Sequence, residues 1–200
     1  PLEKYRNIME KMISARTIDF QPDDETGIPK VYDGQKVIIG GMITEKTIKY
    51  TRNNKVMAFL TVEDLMGTVE IVVFPRDYEK WQTLINEDAR VFIQGRVNAE
   101  DDKPSKLILE KVRAFDDIPR EIWIQFKDRE DYAQKEQELL NYLRGSVGTS
   151  AVVIYLKDVK AIKRLPAGYH VQISDFLLEE LKKKYGDSNV KVVERVLKNF

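Results

Sequence analysis

Lys36-Val-Ile-Ile-Gly-Gly-Met-Ile-Thr-Glu-Lys-Thr-Ile-Lys-Tyr50 opens the stretch, Lys36 to Val112, around which the rest of this chain is arranged. It reads as one long strand from Val37 to Tyr50. The pair Gly40-Gly41 predicts a bulge, where the strand bends to serve two sides of a closed sheet. Arg52-Asn53-Asn54 is a turn, because Asn tolerates the left-handed backbone. Val56-Met-Ala-Phe-Leu-Thr-Val62 is a second strand, and Asp64-Leu-Met-Gly67 reverses the chain. Val69-Glu-Ile-Val-Val-Phe74 is a third, stopped by Pro75. From Arg76 to Ile85, Tyr78, Trp81, Leu84 and Ile85 recur at helical spacing. Arg90-Val-Phe-Ile-Gln-Gly-Arg-Val97 and Lys106-Leu-Ile-Leu-Glu-Lys-Val112 complete the set, joined across Glu100-Asp-Asp-Lys-Pro104.

Three strands, a helix and two strands, with a bent glycine-bearing first strand, is the order of the five-stranded OB-fold barrel. The predicted organisation is therefore a helix and connector over 1–35, an OB-fold domain over 36–116 and an α/β domain over 117–200. Residues 2 to 15 carry Leu2, Tyr5, Ile8, Met9 and Met12 at spacings of three and four, the pattern of an amphipathic helix. Asp19 to Gly34 is connector chemistry, and its acidic trio Asp23, Asp24 and Glu25 reads as a solvated loop. Arg113 to Pro119 reads as a linker. Beyond it, strand Glu121–Phe126, helix Arg129–Arg144, strand Ala151–Leu156, strand Val159–Leu165, helix from Ser174 and strand Val190–Val196 follow one another. Val171–Ile173 is a further short extended piece. This β-α-β-β-α-β order predicts a split βαβ arrangement of ferredoxin-like type or a near relative.

The composition narrows the function. Thirty-three lysines and arginines balance 33 aspartates and glutamates, so any attraction to nucleic acid is local rather than general. With no cysteine, disulfides and thiolate metal sites are excluded, and a reducing compartment, the cytoplasm, is expected. No apolar run approaches the roughly 20 residues a membrane helix needs, so no membrane partner is expected. The chain starts at proline, which predicts a piece of a longer protein.

The positive charge concentrates at one hairpin. Lys46, Lys49, Arg52 and Lys55 fall between Lys46 and Val62, where there is no acidic residue. In OB folds that hairpin and the face of strands two and three hold oligonucleotides. By strand alternation Ala58, Leu60 and Val62 fill the barrel, while Met57, Phe59 and Thr61 face out beside Tyr50 as a stacking platform. Core packing of Phe59 beneath the N-terminal helix or a partner domain is the competing reading. Candidate nucleic-acid-binding residues are thus Lys46, Lys49, Tyr50, Arg52, Lys55, Met57 and Phe59.

No nucleophile elbow, P-loop, dinucleotide fingerprint or HExxH is present. His170 has no companion ligand. Asp101-Asp102 and Asp116-Asp117 are adjacent pairs that diverge in an extended chain. No catalytic residue, metal or cofactor is expected.

The run Met57 to Pro75, with Tyr78 and then Asp88-Ala-Arg-Val-Phe-Ile-Gln-Gly-Arg-Val97, closely resembles the OB domain of bacterial DNA polymerase III alpha subunits. Pro1-Leu-Glu-Lys-Tyr5 looks like the end of the segment preceding that domain, and the unit after Glu121 is similar to the C-terminal domain. A shorter motif, Phe59-x-x-x-x-Asp64-x-x-Gly67, also occurs in anticodon-binding OB domains of tRNA synthetases, which makes an RNA-binding appendage a third reading. The resemblance implies a non-catalytic fragment of a DNA-directed DNA polymerase, whose catalytic aspartates lie in a palm domain with no counterpart here. It implies single-stranded template DNA as the OB ligand. The clamp-loader tau subunit and other holoenzyme subunits are the implied protein partners. One departure stands out: many relatives carry Thr-Lys-x-Gly at the first hairpin, where this chain has Thr51-Arg-Asn-Asn-Lys55.

Overall fold

The computed structural model describes residues 2–100 and 103–195. They divide into two compact units, one running to Ile118 and one from Pro119 to Arg195. The Asp101-Asp102 pair and the last residue of the expected final strand, Val196, lie outside the described residues.

The first unit opens with a turn of 3-10 helix over Glu3–Tyr5, which runs into α1 (Arg6–Met12). Leu2, Ile8, Met9 and Met12 are buried against Phe92, Phe115 and Ile118. The helix expected through residue 15 stops at Met12 for a local reason. Ile13 turns extended, the Ser14 and Ala15 amides donate to the Ile38 carbonyl, and Ser14 Oγ accepts from the Ile38 amide at 2.9 Å. These bonds lay the segment along the barrel, and another helical turn would forfeit them. Connector residues are not all solvated either: Phe20 and Val31 belong to the barrel core.

The barrel comprises β1 (Lys36–Tyr50), β2 (Val56–Glu63), β3 (Thr68–Val73), α2 (Pro75–Trp81), β4 (Arg90–Asn98) and β5 (Lys106–Ala114). It closes in the order β1-β2-β3-β5-β4. β1 does serve two sides, pairing with β4 over Lys36–Met42 and with β2 over Met42–Tyr50. The bulge falls at Thr44, however, between Ile43 and Glu45, not at Gly40-Gly41. Those glycines are demanded by close approach. A Cβ on Gly41 would sit 2.4 Å from the Glu63 carbonyl oxygen, and one on Gly40 would meet the Phe92 ring at 2.9 Å.

Val37, Ile39, Ile43, Ala58, Leu60, Val62, Ile71, Ile93 and Leu109 fill the interior, all at most 2% exposed. α2 starts with Pro75 in its first turn, where the missing N–H costs nothing. Its expected extension to Ile85 is replaced by a turn, Leu84 N–H to the Trp81 carbonyl, that drops Ile85 into the core. The expected linker after Val112 is instead the end of β5 and a 3-10 turn, Phe115–Asp117, with Phe115 stacked 4.3 Å from Phe92.

The second unit comprises β6 (Arg120–Phe126), α3 (Arg129–Leu143), β7 (Val152–Leu156), β8 (Ala161–Arg164), α4 (Asp175–Tyr185) and β9 (Val190–Glu194). Asp128 caps α3 by accepting from the Asp131 amide, and Ser174 caps α4 by accepting from the Leu177 amide. Gly186, at φ +96°, ends α4. Val171 makes only an isolated bridge to Ser150, so no strand forms over Val171–Ile173. The sheet order is β8-β7-β6-β9, with β6 and β7 adjacent and parallel. This corrects the ferredoxin-like expectation, in which another strand separates the parallel pair. A single helix between two strands serves either arrangement, so element order does not discriminate them. Among the described residues no helix is long and apolar enough to cross a membrane.

Candidate nucleic-acid interface

The β1–β2 ribbon is set by its turn. The Thr51 amide donates to the Lys55 carbonyl and the Asn54 amide to the Thr51 carbonyl, which leaves a three-residue loop, Arg52-Asn53-Asn54. A loop of this length ends on a residue in the left-handed region. Asn54 takes that role at φ 57°, in the place where the resemblance implies glycine. The loss of glycine therefore does not cost the turn.

Register then distributes the seven candidates. Lys49 faces Met57, Thr47 faces Phe59 and Glu45 faces Thr61, so these six share the outer face. Lys49 Nζ lies 4.8 Å from the Phe59 ring centroid, a cation–π contact. Phe59 and Met57 are half-buried, as a wall exposed on one side should be. Arg52 and Lys55 stand exposed at the turn.

Lys46 and Tyr50 are not with them. Both have the opposite parity, facing Leu60 and Val56. Lys46 runs to α2, its ammonium 5.6 Å from the Tyr78 ring and donating to Asn86 Oδ1 at 3.2 Å. Tyr50 is 66% exposed on the far side of the ribbon from Phe59, so it is not part of that platform. The bulge at Thr44 shifts the pairing, but the alternation beyond it still separates Lys49 from Tyr50.

The platform also has members beyond the seven. Phe59 neighbours Val72 of β3, and Val72 neighbours Ile108 of β5, giving an apolar row across three strands. Phe74, 45% exposed at the end of β3, extends the same face. Alternation within Val69–Phe74 carries the signal for Val72 and Phe74, since Val69, Ile71 and Val73 point inward. Ile108 needs the β3–β5 pairing to be known.

Charge is uneven around this row. Glu110 pairs with Lys36 at 3.2 Å and with Arg96 at 3.5 Å, and Glu70 pairs with Lys106 at 2.8 Å. Among the described residues Lys49, Arg52 and Lys55 enter no ion pair. The hairpin end of the face is thus net positive, and the β4–β5 end is neutralised. Among the described residues no group of three His, Cys, Asp or Glu side chains is placed to hold a metal ion.

The motif Phe59-x-x-x-x-Asp64-x-x-Gly67 splits into two jobs. Asp64 is buried and accepts from Thr17 N, Thr17 Oγ1, Met66 N and Gly67 N, which ties the connector to the β2–β3 reversal. Only Phe59 presents a surface.

The profile of a family described as an OB-fold nucleic acid binding domain matches residues 37–114. DNA polymerase III subunit alpha of Bacillus subtilis (strain 168) is 28% identical over 149 residues, and that of Halalkalibacterium halodurans 30% over 167. The Escherichia coli (strain K12) protein of the same name is 24% identical over 205. The three alignments cover 72%, 78% and 96% of this chain but only 13%, 14% and 17% of those relatives. The chain spans less than a fifth of the length of the curated relatives it matches.

Proposed function

The chain belongs to the family of the bacterial DNA polymerase III alpha subunits, and from that premise we propose that it is an accessory, non-catalytic part of such a polymerase. In this reading the barrel binds single-stranded template DNA and the second unit docks the clamp-loader tau subunit, in the cytoplasm and without a cofactor. The observation that carries the first half is the outer ribbon face. There an unpaired Lys49 lies over Phe59, with Arg52 and Lys55 at the adjoining turn. A base that stacks on Phe59 displaces the Lys49 ammonium from the ring, and the freed cation meets the neighbouring phosphate. Val72, Ile108 and Met57 continue the platform along the strand path. Docking of tau and other holoenzyme subunits rests on the family relationship alone.

The deciding experiment is fluorescence anisotropy of a labelled single-stranded oligonucleotide titrated with this chain across salt concentrations. Each phosphate contact contributes roughly −0.7 to the log–log slope. Exchange of Lys49, Arg52 and Lys55 for alanine should flatten that slope, and Phe59→Ala should cost on the order of 1–3 kcal/mol of binding. An affinity indifferent to both changes sinks the proposal. A second reading, the barrel as a protein-docking scaffold, is favoured by the Glu110 and Glu70 ion pairs that neutralise the rest of the face. It predicts no oligonucleotide binding even at low salt. For the second unit, a surface-bound chain that captures no tau subunit would rule out the docking role.

A further inference from the structure

Among the described residues one face of the second unit's sheet carries none of that unit's helices, and on it Val153 and Glu121 are buried while Trp123 and Tyr155 are half-buried. Ile122, Ile124 and Phe126 of β6 and Val152, Ile154 and Leu156 of β7 pack with α3 and α4. Alternation therefore turns Trp123, Gln125, Val153 and Tyr155 to the other side. Cross-strand pairing brings Lys191 of β9 beside Trp123, Arg164 of β8 beside Val153 and Ile162 of β8 beside Tyr155. The Trp123 and Tyr155 rings are half-exposed, with centroids 6.4 Å apart and planes inclined by 41°. They border a hollow of about 210 Å³ that Gln125, Asn189, Lys191 and Val193 also line.

The polar groups around the rings are held in place. Trp123 Nε1 donates to Glu121 Oε2 at 3.0 Å, and Arg164 Nη1 holds the other carboxylate oxygen. The indole plane is thereby fixed before any ligand arrives, which lowers the ordering cost of binding. Gln125 Nε2 donates to Asn189 Oδ1, and Asn189 Nδ2 donates to the Tyr185 carbonyl. Nothing among the described residues donates to the Gln125 side-chain oxygen, so an amide acceptor stands open beside the rings. Lys191 is exposed and enters no ion pair among the described residues, and the Arg164 side chain is 48% exposed.

Two classes of macromolecule could use an aromatic sheet face. A protein interface has a core from which charge is depleted. Here Lys191 lies beside Trp123 at one end of a cross-strand row, and Arg164, ion-paired to Glu121 and half-exposed, closes the other: Lys191, Trp123, Val153, Arg164. Paired, half-buried aromatics on the helix-free face of a four-stranded sheet, edged by cations and a free amide, match a chain of unstacked bases with a charged backbone. We propose that this face is a second site for single-stranded nucleic acid, where Trp123 and Tyr155 stack bases and Lys191 and Arg164 hold flanking phosphates. It is separate from the barrel face and stands or falls independently of it.

The test uses the full 200-residue chain carrying Trp81→Phe, so that Trp123 is the sole indole emitter. Addition of an unlabelled oligothymidylate should quench Trp123 saturably, and added salt should reverse the quenching. The response should persist when Lys49→Ala and Phe59→Ala disable the barrel face. Tyr155→Ser and Lys191→Glu, checked for folding by thermal melting, should each weaken the titration roughly tenfold. Trp123 emission that stays unchanged while anisotropy reports a saturated complex overturns the proposal and leaves this face to a protein partner. Equal quenching by inorganic polyphosphate, which has no bases, overturns the stacking assignment.

Discussion

Replacing Asp64 with alanine should unfold the barrel far more readily than its position in a surface reversal suggests. Its carboxylate accepts from Thr17 N at 2.9 Å, Thr17 Oγ1 at 2.6 Å, Met66 N at 2.7 Å and Gly67 N at 3.1 Å. Alanine strands all four donors, but not equally. Met66 is 54% exposed and Gly67 half-exposed, so their amides find water. Thr17 is wholly buried, and both its amide and its hydroxyl are orphaned. Two buried orphans at about 1–3 kcal/mol each give an expected loss of about 2–6 kcal/mol. That is a large share of the roughly 5–15 kcal/mol typical of a domain. The assay is urea unfolding in a Trp123→Phe chain, where Trp81, packed on the barrel core, reports that unit alone. The Thr17→Val/Asp64→Ala double variant should lose less than the sum of the two single losses, because the hydroxyl is no longer stranded. A loss below about 1 kcal/mol at unchanged m-value would refute the claim that this carboxylate latches the connector to the barrel.

Three further outcomes are expected. Gly41→Ala places a methyl 2.4 Å from the Glu63 carbonyl oxygen, a backbone atom that cannot step aside, and should lower barrel stability by about 1–3 kcal/mol in the same urea assay. Lys46→Ala should change the salt slope of oligonucleotide binding less than Lys49→Ala, since Lys46 is already committed to Asn86 and Tyr78; equal effects by anisotropy would contradict that placement. Burial pushes the Glu121 carboxyl up, but the Arg164 guanidinium and Trp123 indole together outweigh it and hold it below its ordinary 4.5. A carboxyl depressed on folding stabilises above its unfolded value and loses that contribution as pH falls through the folded one. The second unit should therefore weaken as pH drops below 4.5. In Arg164→Met burial is opposed by less, the folded carboxyl moves up, and this loss below pH 4.5 should shrink or vanish, read by thermal melting on Trp123 emission in the Trp81→Phe chain.

The barrel was legible because its signals are local. Alternation in Val56–Val62 assigned Ala58, Leu60 and Val62 to the interior and Met57 and Phe59 to the surface, and the register agrees. The bulge was misplaced because glycine has two uses in a strand. Gly40 and Gly41 serve close approach to Phe92 and Glu63, partners distant in sequence, while the irregularity falls at Thr44. Lys46 belongs to the basic hairpin by its charge and Tyr50 adjoins the platform along the chain, but two-residue parity places both on the other side of the ribbon from Phe59. In the second unit, strands and helices were read from periodicity, but strand adjacency is not a property of any one segment.

What the sequence by itself determined is the order of elements, the inward-facing set of the barrel strands, the basic hairpin and the family relationship. These depend on residue type at fixed short spacings, which backbone geometry translates directly into faces. What only the tertiary structure decided is which faces meet. It joined Val72 and Ile108 to Phe59 in one row and neutralised the far end of that row through Glu110 and Glu70. It turned Asp64 inward onto Thr17, 47 residues away, and left Trp123 and Tyr155 side by side on the helix-free face of their sheet. Each of these pairs residues through hydrogen-bonded strands or buried polar contacts across long loops. Long-range pairing is selected by the packing of the whole core, and no local stretch encodes its partner.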